Sequence, residues 1–231
     1  MNAVLALAAL LLAASPAPVE VLLPGGRAGV GLDDRRGVDA LRRLLVPAGG
    51  TGRLDLVDPD SGAVDSIPGL SVSPPGRGHG SGTTSADYGA GLLFATDRTA
   101  RTAVVIDPAS RRIRSRAPLG GSPDYLRWVE PRREVWVTEP GRESIEIFRL
   151  AGARLERAGS VRVPGGPESL VVDPGRGRAS VRRGPAHRRA HGARRGGDGR
   201  ARGRRGARAP RSARRGRPRV AGARSRRRAG W

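Results

Sequence analysis

The sequence predicts an all-β chain built from a repeated four-stranded unit, and three observations carry that prediction. Three segments of the 231-residue chain align without gaps: "LLVPAGGTGRLDLVDPDSG" from Leu44, "LFATDRTARTAVVIDPAS" from Leu93 and "VWVTEPGRESIEIFRLAG" from Val135. Val46, Ala95 and Val137 match, and the copies are spaced 49 and 42 residues apart. Within each copy, two short apolar strands flank a polar loop. Between copies a second piece recurs: "APLGGSPDYLRWVEPRREVWV" and "VRVPGGPESLVVDPGRGRA" share a strand end, a Gly-rich step, a Pro, a new strand and a Pro-bearing hairpin. Four strands per unit of about 40–50 residues is the signature of a propeller blade.

The elements follow in order. The first unit, "GLDDRRGVDALRRLLV", is Arg-heavy for an inner strand, and a short amphipathic helix is its alternative reading. Leu44–Val46, Leu92–Ala95 and Val135–Val137 form one strand of each copy, and Leu54–Val57, Ala103–Ile106 and Ile145–Phe148 the next. Ile145-Glu146-Ile147 alternates as a half-buried strand should. "DPDSG" and "DPAS" are turns, in which Asp accepts from backbone amides, Pro presets φ and Gly62 takes positive φ. A third strand follows near Val64–Ile67, Ile113–Arg116 and Gly159–Val163. The expected fold is a partial β-propeller of about three and a half four-stranded blades over residues 30–179, followed by a disordered tail.

The stretch "APLGGSPDYLRWVEPRREVWVTEPGRESIEIF" resembles the YVTN-repeat, YncE-like β-propellers. "VWVTE" stands where that group has Y-V-T-N, and "VVIDPAS" where it has V-x-V-I-D. The resemblance runs from Leu32 to Ala179, with departures: Asp97 and Glu139 replace the usual Asn, and Ala48 lacks a polar group. It implies a WD40-like ring in which the loop into the inner strand and the loop between the second and third strands share one face. His79, Asp97, Arg98, Asp124, Glu139 and Arg142 then surround one mouth of the channel, where propellers bind ligands. His79 with Asp97 and Glu139 would suit a divalent ion, against the plainer reading of solvated loop residues. The sequence names no cofactor.

Both ends of the chain read differently. Residues 1–17 carry an apolar run, Ala3–Ala14, then small residues with Pro16 and Pro18. The run is too short to span a bilayer and fits a signal peptide, which implies a periplasmic or secreted protein; a buried N-terminal helix is the other reading. From Gly175 onward there are 22 Arg and one acid, Asp198, so nearly all of the +22 formal charge sits there. Residues 180–231 show no strand or helix period and too little apolar surface to offset ordering entropy. The change falls inside a motif rather than in a linker. Every basic residue of the chain is Arg, as a GC-rich gene gives, and the tail is expected to be an out-of-frame product. A polybasic tail binding nucleic acid or another polyanion is the rival, although stacking recognition wants interleaved aromatics and the tail has only Trp231.

The chemistry is less legible. Without Cys there are no disulfides, thiolate sites or Cys nucleophiles in this chain. "GRGHGSGTTS" is neither a nucleophile elbow nor a phosphate loop. The leading expectation is an exported binding scaffold with no identifiable catalysis, taking a small ligand or a protein at the propeller face. The alternatives are a lactonase-like or metal-dependent hydrolase at the channel mouth, and a nucleic-acid binder acting through the tail. Three blades and a fragment leave exposed strand edges, which favour aggregation or pairing with another chain.

Overall fold

A computed structural model describes residues 18–72 and 81–183, together with the two-residue strand Ala229–Gly230. The expected signal peptide, His79 and nearly all of the Arg-rich tail lie outside the described residues.

Three complete antiparallel meanders follow one another along the chain. The first holds β1 (Arg36–Val38), β2 (Arg43–Ala48), β3 (Arg53–Val57) and β4 (Val64–Ile67), hydrogen-bonded in that order. The second holds β5 (Ala86–Gly89), β6 (Leu92–Asp97), β7 (Thr102–Asp107) and β8 (Arg112–Pro118). The third holds β9 (Leu126–Val129), β10 (Glu134–Glu139), β11 (Ser144–Ala151) and β12 (Arg154–Arg162). A fourth sheet pairs β13 (Val171–Asp173) with β14 (Arg178–Ser180) and β15 (Ala229–Gly230). Each sheet is one blade of a propeller, with β1, β5, β9 and β13 innermost. Among the described residues no helix is long and apolar enough to cross a membrane.

The local chemistry matches the expected turns. Asp58 accepts from the amides of Asp60 and Ser61, both at 3.0 Å, and Asp107 accepts from Ala109 at 2.9 Å and Ser110 at 3.2 Å. Gly62 closes the first of these turns at φ 71°. The Arg-heavy first unit is a strand, β1, followed by a single 3-10 turn, Asp39–Leu41, and not an amphipathic helix. Three of its arginines pair with carboxylates: Arg36 with Asp87, Arg42 with Asp60 and Arg43 with Asp58. β12 starts five residues earlier than expected, at Arg154.

The core consists of three interfaces between consecutive blades. A strand turns alternate side chains to opposite faces, so a blade buried on both faces reads as a nearly continuous apolar run. Leu45, Leu54, Leu56 and Ile67 of the first blade pack on Ala86, Leu93, Ala95, Val104 and Ile106 of the second. The second blade's other face, with Phe94, Ala103, Val105 and Ala117, packs on Leu126, Trp128, Val135, Val137 and Phe148 of the third. Phe94 and Trp128 stack there, with centroids 5.2 Å apart and planes 6° from parallel. A Cβ at Gly89 would lie 2.1 Å from Trp128 Cδ1, so only glycine fits beneath that ring.

The third interface joins Val129, Trp136 and Ile145 to Leu170, with Val172, Ala179 and Val181 against them. Pairing therefore continues beyond Ala179. The Glu168 amide donates to the Arg182 carbonyl at 2.7 Å, the Arg182 amide donates to Ser169 Oγ at 2.9 Å, and Pro167 bridges Arg183. Main-chain pairing needs no side-chain pattern, and Val181 still supplies one apolar contact to the third blade. By this register Ser180 stands where Trp136 stands in the third blade.

Candidate functional site

The registers β1–β2, β5–β6, β9–β10 and β13–β14 define equivalent positions in the four blades. Just before the inner strand these are Asp33, Thr84, Asp124 and Glu168. Three of the four carry a carboxylate, at one mouth of the channel.

At this mouth Arg98 and Asp124 come together, with Nη1 to Oδ1 at 2.9 Å. Burial pushes the Asp124 carboxyl up to about 6; Arg98 pulls it down, and Asp33 and Glu168 push it further up. Thr84 Oγ1 donates to the Asp124 carbonyl at 2.9 Å, and the Asp124 amide donates to the Thr138 carbonyl at 2.9 Å, so its backbone is fixed.

Asp97 and Glu139 end the second strands of their blades and are engaged within the fold. Asp97 accepts from the amides of Ser71 at 2.8 Å and Ala100 at 3.0 Å. Glu139 accepts from the Gly121 amide at 2.7 Å and from Ser144 Oγ at 3.2 Å, with Arg142 Nε at 3.4 Å. Arg142 also donates to the Gly120 carbonyl at 3.2 Å. Each acid thus ties the loop that arrives from the blade before it. Ala48, the counterpart in the first blade, has no such group. Among the described residues there is no cluster of three or more His, Cys, Asp or Glu able to hold a metal ion.

Deeper along the axis lies a polar network that sequence reasoning missed. Arg127 of the third blade forks onto Asp34 of the first, with Nη1 to Oδ2 at 2.5 Å and Nη2 to Oδ1 at 2.9 Å. Ser85 Oγ, from the second blade, donates to Asp34 Oδ2 at 2.6 Å. Arg127 also donates to the Leu126 carbonyl at 2.7 Å and lies over the Tyr125 ring. One step further, Arg36 Nε meets Asp87 Oδ1 at 2.7 Å, and Asp87 accepts from the Trp128 and Tyr88 amides, each at 2.8 Å. Burial raises the Asp87 carboxyl, against the opposing pull of Arg36.

Arg36, Asp87, Arg127 and Val171 hold equivalent positions in the four inner strands, and all four line one cavity of about 280 Å3. Tyr88, Trp128, Glu130, Val172 and Pro174 complete its wall. Trp128 Nε1 donates to Glu130. The cavity offers aromatic faces, apolar side chains and paired charges, a lining suited to a small ligand. The available signal was one charged residue at the same inner-strand position in "DDRRG", "SADYG" and "DYLRW".

Repeated meanders, inner strands around a shared channel and apolar interfaces between successive blades define a partial β-propeller. Solved structures agree on the fold. Hydrazine synthase of Kuenenia stuttgartiensis is similar with a TM-score of 0.55 at 11% identity, over 74% of this chain and 44% of that one. A protein from Lactobacillus plantarum matches at 0.54 and 13%, over 66% and 50%. Virginiamycin B lyase from Staphylococcus aureus matches at 0.53 and 14%, over 70% and 51%. The chain spans about half the length of each. No family model and no curated protein matches the chain.

Proposed function

We propose that this chain is a ligand-binding propeller scaffold of the YVTN, YncE-like type, exported by its N-terminal segment. The observation that carries the reading is the axial cavity, where the inner strands of four blades converge on a common wall. Its cations are already paired, Arg36 with Asp87 and Arg127 with Asp34, and its Glu130 accepts from Trp128 Nε1. The favoured occupant is therefore a small neutral or zwitterionic molecule, or a protein loop, lying against Trp128 and Tyr88. The test is a thermal-shift screen of sugars, lactones, amino acids and short peptides. A hit should raise the Tm of the natural chain and lose most of that shift in Trp128→Leu. A shift that survives the substitution would assign the ligand elsewhere.

One observation favours a second reading, hydrolysis at the opposite mouth. Asp124, held near 6 beside Arg98, is poised as a general base close to neutral pH. A similar fold, with TM-score 0.51 at 12% identity, occurs in a putative 6-phosphogluconolactonase from Bacteroides fragilis. Lactone hydrolysis with a pH profile abolished by Asp124→Asn would support this reading. Binding of nucleic acid through the Arg-rich tail is a third reading; it requires a steep salt dependence that disappears on deletion after Arg183.

A further inference from the structure

Four charged side chains line the axial cavity, and the fold uses them unequally. Arg127 is fully engaged: its two Nη groups fork onto Asp34, and Nη1 also donates to the Leu126 carbonyl. Asp87 is engaged through both oxygens, Oδ1 accepting from the Tyr88 amide and Oδ2 from the Trp128 amide. Arg36 and Glu130 keep capacity in reserve. The contact of Arg36 with Asp87 runs from Nε, and among the described residues Nη1 and Nη2 of Arg36 donate no hydrogen bond. Glu130 accepts from Trp128 Nε1 at Oε2. Among the described residues its Oε1 has no donor and its carboxylate forms no ion pair.

These two side chains line the same cavity, carry opposite charge and do not pair with each other. Their anchors hold them in separate blades. Asp87 is buried and fixed by two amides, and it takes Arg36 by the Nε edge. The Nη1–Nη2 edge is left, a planar fork whose geometry matches a carboxylate. Glu130 opens the 3-10 turn Glu130–Arg132 that follows β9, and the Trp128 indole holds one of its oxygens. Arg132, the cation of that turn, is taken by Glu134 at 2.9 Å.

The rest of the lining is aromatic and apolar, with Tyr88 and Trp128 facing the same cavity as Val171 and Val172 of the fourth blade. Val171 is 63% exposed, an apolar side chain that a ligand would cover. The volume of about 280 Å3 suits one small molecule, since drug-sized ligands occupy roughly 300–1,000 Å3.

We propose that the cavity binds a free α-amino acid with an apolar side chain. Its carboxylate lies on the Nη edge of Arg36, its ammonium on Glu130, and its side chain against Val171 and Trp128. This assignment rests on the cavity being the ligand site. A lone carboxylate would bring a second negative charge beside Glu130. A lone amine would accept nothing from the Arg36 fork. A sugar or lactone answers neither charge, whereas an amino acid answers both.

The test is isothermal titration of the full chain with L-leucine, 4-methylpentanoate, which lacks the ammonium, and 3-methylbutylamine, which lacks the carboxylate. L-Leucine should bind saturably, and each analogue about tenfold more weakly or worse, the weight of one charge-assisted hydrogen bond. Glu130→Gln keeps an acceptor for Trp128 and should erase the preference over 4-methylpentanoate. Arg36→Lys keeps a cation for Asp87 and should erase the preference over 3-methylbutylamine. Both residues are exposed, so neither change threatens the fold. Equal binding of the three probes, preferences that both variants leave intact, or no saturable binding of L-valine, L-leucine or L-phenylalanine would overturn the proposal. If it fails while a sugar or lactone still gives a thermal shift lost in Trp128→Leu, the cavity remains the ligand site and only the amino-acid assignment falls. If no thermal shift depends on Trp128, both fall.

Discussion

Removing the Arg127 guanidinium should cost this protein a large part of its stability, and removing Asp34 with it should restore much of the loss. Both side chains are only 10% exposed, and the fork between them joins blades that share no other described side-chain hydrogen bond. Arg127→Met keeps the stem but leaves the Asp34 carboxylate buried with Ser85 Oγ as its remaining donor. Breaking one side of a buried pair costs about 3–5 kcal/mol, comparable with the whole stability of a marginal domain. Asp34→Asn should cost less, about 2 kcal/mol, because Asp87 still offsets the Arg127 charge. The double variant should then fall short of the sum by about 2–3 kcal/mol. Urea unfolding followed by the fluorescence of Trp128 and Trp136 reads all four corners of the cycle. A coupling below about 0.5 kcal/mol would refute the reasoning, because it would mean that water already screens the pair.

Gly89→Ala should destabilise by about 1–3 kcal/mol and shift the near-ultraviolet circular dichroism of Trp128, since the new methyl meets a ring already stacked on Phe94. Arg133→Gly should stabilise by about 0.5–1 kcal/mol in thermal unfolding: Arg133 holds φ 52° at a corner where the fourth blade already has Gly177 at φ 57°. The Asp124 carboxyl lies above its ordinary 3.8, at about 6, so the folded state holds that proton more tightly than the unfolded state. Its penalty is fully present above pH 6 and fades as pH falls toward 4, a gain of at most about 3 kcal/mol. Denaturation at pH 5 and 7.5 should show this slope in the natural chain and a reduced slope in Asp124→Asn.

Local pairing was the most legible part of the fold. The strands that pair with their sequence neighbours were visible because apolar runs such as "AVVI" alternate with Asp-Pro turns over a few residues. The first inner strand was harder, because Arg36 reads as surface until its long-range partner, Asp87, is known. The site divided the same way. Asp124 and Arg98 were legible as loop residues at one mouth, whereas Asp34, Asp87 and Arg127 were not. Their roles depend on contacts across 93 positions of sequence in the case of Asp34 and Arg127. No local period encodes that separation.

The blades differ in how many of their faces are covered, and that sets an order in which they should open. The second and third blades are buried on both sides, whereas the first and fourth each rest on one neighbour. An array of this kind opens from its ends inward, with protection that rises toward the middle. Amide hydrogen exchange should therefore be slowest in β6, β7 and β10, and fastest in β13 and β14. The fork from Arg127 to Asp34 alters this gradient on one side only. It binds the first blade to the third as well as to the second, and the first blade's outer side keeps Val46, Asp55 and Val57 buried whereas Val171 of the fourth is 63% exposed; the first blade should therefore exchange more slowly than the fourth, and the two ends of the array should not fray alike.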